Sequence, residues 1–153
     1  MSGLKFDSSS MRIGCPAEWS QKLRQQLANL TCHNGMMRGW INDRYAARRH
    51  QPRPASGPVQ AAVLFNRIHR PVGWAALRLF GVDRRQAWLA VFVKPSYRRR
   101  GIGARLVATL LTSVRFADER TILELYYDRQ AAQYFEPLLL MWCDSAVALQ
   151  AVG

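Results

Sequence analysis

The sequence predicts one domain of the α/β (α+β) class, with a mixed central sheet of about six to seven strands flanked by about four helices. Three strand-length apolar runs, Val59 to Phe65, Val72 to Phe80 and Gln86 to Val93, follow one another across short polar connections and so read as an antiparallel meander. An amphipathic stretch from Gly101 to Phe116 separates them from a further run, Thr121 to Tyr127, and a helix that crosses between two strands of one sheet makes them parallel. The 153 residues, 49% of them apolar and five of them tryptophan, suffice for one compact core.

The elements follow in order. Met1 to Ser10 has no hydrophobic period and is expected to be a mobile tail, leaving residues 11–153 as the domain. Met11 to Gly14 fits a short first strand. Pro16-Ala17-Glu18 places a proline and an acid in a first helical turn, and Trp19, Leu23, Leu27 and either Leu30 or Ala28 supply an apolar stripe, so a helix is predicted over Ala17 to Leu30. Asn34-Gly35 breaks it. Met36, Met37, Trp40, Ile41, Tyr45 and Ala46 then recur at helical spacing over Met36 to Arg49, with Arg38, Arg44, Arg48 and Arg49 on the outer face. Gln51 to Pro58 carries three prolines and reads as a loop. After the parallel strand, Arg129 to Phe135 is a short helix ended by Pro137, and Leu138 to Trp142 with Ser145 to Val152 form a last strand pair turning at Cys143-Asp144.

The junction between the third meander strand and the long helix carries the chemistry. Pro95 has no amide for a sheet ladder and biases Lys94 away from helical angles, so the strand stops there. From Gly101 onward Ile102, Leu106, Leu110 and Val114 recur every fourth residue, describing one buried helix face. Between them lies Arg98-Arg99-Arg100-Gly101-Ile102-Gly103. A helix start presents unpaired amides and partial positive charge, and glycines allow an anion's oxygens to approach them. Three consecutive arginines repel one another unless an anion sits among them, which adds guanidinium donors to the cradle. No Gly-Lys-Ser/Thr follows, and no G-x-G-x-x-G is present, which argues against a mononucleotide kinase or a dehydrogenase.

Val93-x-Pro95-x-Tyr97-Arg98-x-x-Gly101-Ile102-Gly103 followed by a leucine-rich helix resembles the acyl-CoA-binding motif of the GNAT superfamily of N-acetyltransferases, in its R-x-x-G-x-G form. Gly73-Trp74-Ala75 also fits the strand that precedes the CoA strand in that family. The resemblance implies acetyl-CoA as donor, with its pyrophosphate on Arg98, Arg99, Arg100, Gly101, Ile102, Gly103 and Ala104, and with the backbone of Phe92 and Val93 facing the pantetheine and thioester. It places Trp40 and Tyr45 on the acceptor side; the plain alternative is that both are core residues.

Transfer to an amine needs a neutral amine, a polarised carbonyl and a proton for the departing thiolate. The family often takes that proton from a tyrosine in an A-x-x-Φ-Y pattern. Here Ala131-Ala132-Gln133-Tyr134-Phe135 fits, with phenylalanine at the usual tyrosine position. One residue of helix turns a side chain by about 100°, so either the helix is shifted and Tyr134 is the acid, or water supplies the proton. The strand run Trp88 to Val93 contains no glutamate, and Glu124 is the nearest carboxylate by motif, unless alternation sends it to the solvated face. His69 and His33 could act through water, the plain alternative being that each is a loop histidine, and a water chain in place of a base leaves no trace in sequence.

Cys15, Cys32 and Cys143 are odd in number and form no C-x-x-C, which argues against a disulfide framework and a zinc site; no metal is expected. No apolar run reaches the length of a membrane helix and no hydrophobic signal opens the chain, so the expected compartment is the cytosol. The net charge of +12 attracts anions: CoA, a protein partner or substrate with an acidic surface, and nucleic acid non-specifically. It disfavours polycationic acceptors. Two functions remain, an acetyl-CoA-dependent N-acetyltransferase acting on a protein lysine, an N-terminal amine or a small non-polycationic amine, and a catalytically weak module that binds a protein or nucleic acid with CoA as structural ligand.

Overall fold

The structure is a computed structural model that describes residues 10–31, 35–42, 56–80, 86–113, 123–128 and 147–152. Among these, six strands form one sheet in the order of the chain: β1 (Met11–Gly14), β2 (Ser56–Phe65), β3 (Pro71–Phe80), β4 (Gln86–Val93), β5 (Leu123–Asp128) and β6 (Val147–Val152). The first four are antiparallel neighbours. β5 then runs parallel to β4, and β6 parallel to β5. The meander and the parallel return strand are those expected from sequence, and β4 has the predicted bounds.

Strand alternation sorts the apolar side chains onto two faces. On one face Ala62, Leu64, Ala75, Leu77, Ala87 and Leu89 pack with Ile102, Leu106, Val107 and Leu110 of α3 (Ile102–Ser113). On the other, Val59, Ala61, Val63, Trp74, Ala76 and Ala90 pack with Leu23 and Leu27 of α1 (Gln21–Leu30) and with Met37, Trp40 and Ile41 of α2 (Gly35–Ile41). The chain is therefore a three-layer α+β fold with the sheet in the middle. No helix among the described residues is long and apolar enough to cross a membrane.

The helix predicted from Ala17 is two pieces. Pro16–Glu18 forms a 3-10 turn, Trp19 is extended at ψ 164°, and α1 begins after Ser20, whose Oγ accepts the Leu23 amide at 3.2 Å. Two start signals lie four residues apart, and the serine cap outcompetes the proline because it satisfies a helical N–H that the proline start leaves open. Thr31 closes α1 by donating both its amide and its hydroxyl to the Leu27 carbonyl, at 3.1 and 2.7 Å. Arg24 then ties α1 to the end of α2 through Asn42 Oδ1 at 2.9 Å.

Ser56–Pro58, read from sequence as loop, is the start of β2. A register irregularity between Ser56 and Val59 accommodates it, and a bulge is where a strand tolerates a proline. A second irregularity at Leu64/Phe65 lets Val72 join the α3 face. The tail Met1 to Ser10, apart from Ser10, lies outside the described residues, as do the predicted end of the second helix, the helix Arg129 to Phe135 and the strand Leu138 to Trp142.

Candidate functional site

Hydrogen-bonded pairing between β4 and β5 covers only Gln86↔Glu124, Ala87↔Leu125 and Trp88↔Tyr126. β4 continues to Val93 against β3, ending at Gly73↔Val93, while β5 continues to Asp128 against β6. The two parallel strands thus part beyond Trp88, where its ring meets that of Tyr126 at 5.8 Å between centroids. The edge of β4 from Leu89 onward is left without a β5 partner.

The direction of the peptide groups on that edge follows from one bond. Lys94 N–H donates to the Val72 carbonyl at 2.8 Å, toward β3, and successive peptide groups of an extended strand alternate. The Phe92 peptide group therefore serves β3, and those of Val91 and Val93 face the opening. The backbone expected to face a ligand there was Phe92 with Val93; alternation corrects this to Val91 with Val93. Phe92 contributes by its side chain, over which the Arg98 guanidinium lies at 5.6 Å, while Arg98 Nε donates to the Val93 carbonyl at 2.8 Å.

Past Val93 the chain turns through a 3-10 turn, Pro95–Tyr97, closed by the Tyr97 amide on the Lys94 carbonyl at 2.8 Å. Arg99 and Gly101 both have positive φ, 64° and 76°, so the loop doubles back before the helix. No atom of the described residues stands within 4 Å of where a Gly101 Cβ would be, so glycine is favoured there by conformation rather than by space. The first helical bond is Arg105 N–H to the Gly101 carbonyl at 3.0 Å. The amides of Ile102, Gly103 and Ala104 precede it and have no acceptor within the helix. Arg98, Arg99 and Arg100 are all exposed around these amides, and Arg100 rests on the Tyr97 ring at 5.4 Å. Among the described residues, a helix start whose first amides have no acceptor in the helix, three cations and a strand edge left unpaired beside it fit an extended ligand carrying phosphates at one end and an amide-bearing arm at the other.

Gly73 makes the approach of β3 to the end of β4 possible. A Cβ there would stand 3.0 Å from the Phe92 carbonyl oxygen and 3.4 Å from Leu106 Cδ1. On the acceptor side, Trp40 is 5% exposed and packed among Leu23, Leu27 and Val59, so it is a core residue. Tyr45, Tyr134 and Phe135 lie outside the described residues.

Glu124 pairs with Gln86, three residues or about 10 Å before the stretch of β4 that has no β5 partner, and seven residues or roughly 23 Å before Val93. The carboxylate residue that the register brings toward the opening is Asp128, two positions past the last β4–β5 pair. Counting residues along the parallel strand, rather than proximity in sequence, is the signal that finds it. No group of His, Cys, Asp and Glu suited to a metal occurs among the described residues.

The Acetyltransferase (GNAT) family matches residues 26–136, most of the chain. Among solved structures, Tetrahymena GCN5 is similar at 19% identity with a TM-score of 0.53, over 76% of this chain and 68% of that one. A GNAT-family acetyltransferase from Staphylococcus aureus is similar at 16% identity and a TM-score of 0.42, over 68% and 66% of the two chains. An aminoglycoside acetyltransferase from an uncultured soil metagenomic sample is similar at 15% identity and a TM-score of 0.38, over 93% and 78%. No curated protein matches the sequence.

Proposed function

The chain belongs to the acetyltransferase (GNAT) family, and on that premise we propose that it transfers an acetyl group from acetyl-CoA to an amine of a protein, on lysine or the N-terminus, or of a small molecule that is not polycationic. The observation that carries this reading is the parting of β4 and β5 beside a helix start with free amides and three exposed arginines. A chain of net charge +12 repels polycationic acceptors and attracts acidic ones.

When bound, acetyl-CoA supplies the activated acyl group. The amides of Ile102, Gly103 and Ala104 and the guanidinium groups of Arg98 to Arg100 hold phosphate oxygens. Arg98 is pre-set for this by its bond to the Val93 carbonyl and its seat on Phe92, so little side-chain entropy remains to be lost on binding. The Val91 and Val93 peptide groups offer sheet-like hydrogen bonds to the arm and hold the acyl carbonyl in place. Asp128 accepts the proton of the incoming amine, directly or through water. Tyr134 gives a proton to the departing sulfur in this reading, with water as the alternative because Phe135 holds the usual tyrosine position.

The lack of a glutamate from Trp88 to Val93, together with Phe135 at the usual tyrosine position, favours one second reading, a catalytically weak module that binds CoA and a partner without turnover. Calorimetry with acetyl-CoA, followed in the same sample by mass spectrometry for free CoA with and without a cell protein extract, separates the two. Micromolar binding with acceptor-dependent CoA release supports the enzyme. Binding without release supports the module, and no binding rejects the ligand assignment for the loop.

A further inference from the structure

The turn between β2 and β3 is built more firmly than a plain connection requires. The Asn66 side chain accepts the amides of Ile68 and Arg70 at 3.1 and 2.9 Å, its amide donates to the Arg70 carbonyl at 2.9 Å, and its carbonyl accepts the His69 amide at 2.9 Å. His69 has φ 64° and lies flat on Phe65, with centroids 4.7 Å apart. This rigid turn holds Ile68 out into water at 70% exposure, between exposed Arg67 and Arg70.

The turn adjoins the arginine loop. Asn66 Nδ2 donates to Tyr97 Oη at 3.4 Å, and Tyr97 carries Arg100 on its ring. The β2–β3 turn and the arginine loop therefore lie side by side at the same end of β4, where Arg67, Ile68, Arg70, Lys94 and Arg98 to Arg100 are all exposed. Phosphate groups of one cofactor account for the loop arginines and leave the turn unexplained.

We propose that the β2–β3 turn, with Ile68 at its tip and Arg67 and Arg70 beside it, is a docking surface for an acidic polypeptide segment that also carries apolar side chains. The proposal rests on the acetyltransferase reading for one point only, that this segment belongs to the acceptor. Charge complementarity selects an anionic partner, and Ile68 selects a polypeptide over a nucleic acid. Single-stranded nucleic acid is held by stacking on aromatic faces. Here the His69 ring is already stacked on Phe65, and the Tyr97 and Phe92 rings carry Arg100 and Arg98. A preorganised aliphatic knob flanked by Arg67 and Arg70 instead suits an acidic segment with leucine or phenylalanine between its carboxylates.

The test is fluorescence anisotropy on the full chain with saturating CoA, using a labelled poly-glutamate peptide, the same peptide with interspersed leucines, and a DNA duplex of matched charge. The leucine-bearing peptide binds tightest. Ile68→Ser weakens it about tenfold, to the level of poly-glutamate, and leaves poly-glutamate unchanged. Arg70→Ser weakens both peptides by about twofold to fivefold. Equal binding of the two peptides, indifference to Ile68→Ser, or preference for the duplex overturns the proposal. CoA titrations of the same proteins distinguish the two readings: both variants keep the CoA affinity of the parent, and a parent that binds leucine-bearing peptide but no CoA would sink the acetyltransferase reading alone.

Discussion

Gly73 and Phe92 stand so close across β3 and β4 that a Cβ on the glycine would lie 3.0 Å from the phenylalanine carbonyl oxygen. The obstacle is backbone, which yields less readily than a side chain, and it sits at the end of β4, on the stretch past Trp88 that has no β5 partner. Gly73→Ala is expected to lower stability by about 1–3 kcal/mol and to weaken CoA binding by moving the end of β4. Thermal unfolding reads the first effect as a fall of about 2–4 °C per kcal/mol. Gly39 in α2 supplies the contrast: nothing lies within 4 Å of its Cβ position, so Gly39→Ala raises stability by up to about 1 kcal/mol. Equal signs for the two substitutions would reject the steric account.

Arg98 is held by two contacts, Nε on the Val93 carbonyl and the guanidinium over Phe92, yet it is exposed. Its removal therefore affects ligand binding and not folding. Arg98→Ala is expected to weaken CoA about tenfold to a hundredfold by calorimetry, as for a charged hydrogen bond, with stability changed by less than about 0.5 kcal/mol. Arg98→Lys keeps the charge but neither the fork nor the ring contact, and falls between the two. A lysine variant equal to the parent would show that the positioning contributes nothing.

What sequence made legible was local. β4 was readable to the residue because its alternation ends at Lys94-Pro95, and the loop and helix beyond it because arginine, glycine and apolar period follow in order. The start of α1 was misread where Pro16 and Ser20 offered competing starts, since a cap is decided by which amides it satisfies. Glu124 is a different case: a residue's place in a motif does not state its register, and only the Gln86↔Glu124 pair shows that it lies three residues before the unpaired stretch of β4. Val91 and the Asn66 turn went unnoticed because their contributions are made by peptide groups and by a side chain folded onto its own backbone, which leave no pattern of residue types.

The loop's reversal depends on Gly101 at φ 76°. Gly101→Val is expected to cost about 1–2 kcal/mol and to abolish CoA binding at concentrations that saturate the parent, because a β-branched residue resists the left-handed region. Gly101→Asn tolerates that region and retains much of the affinity, and open space around the Cβ position means that size is no obstacle. If asparagine and valine weaken binding alike, the requirement is for space near the ligand, not for backbone conformation.

Asp128 and Glu124 separate the register argument from the motif argument. Both belong to β5, four residues apart, but Glu124 pairs opposite Gln86 while Asp128 lies beyond the last β4–β5 pair. If Asp128 takes the amine proton, Asp128→Asn lowers kcat/KM for the acceptor by about a hundredfold or more, in the range expected for loss of a general base, with CoA affinity kept. Glu124→Gln leaves turnover unchanged. The asparagine preserves the shape of the side chain, so a loss that vanishes when the assay pH is raised assigns the defect to proton removal, since the amine then arrives neutral. A loss that persists at high pH assigns Asp128 to positioning, and the opposite pattern, with Glu124→Gln inactive and Asp128→Asn active, would mean that the acceptor enters from the other end of β4.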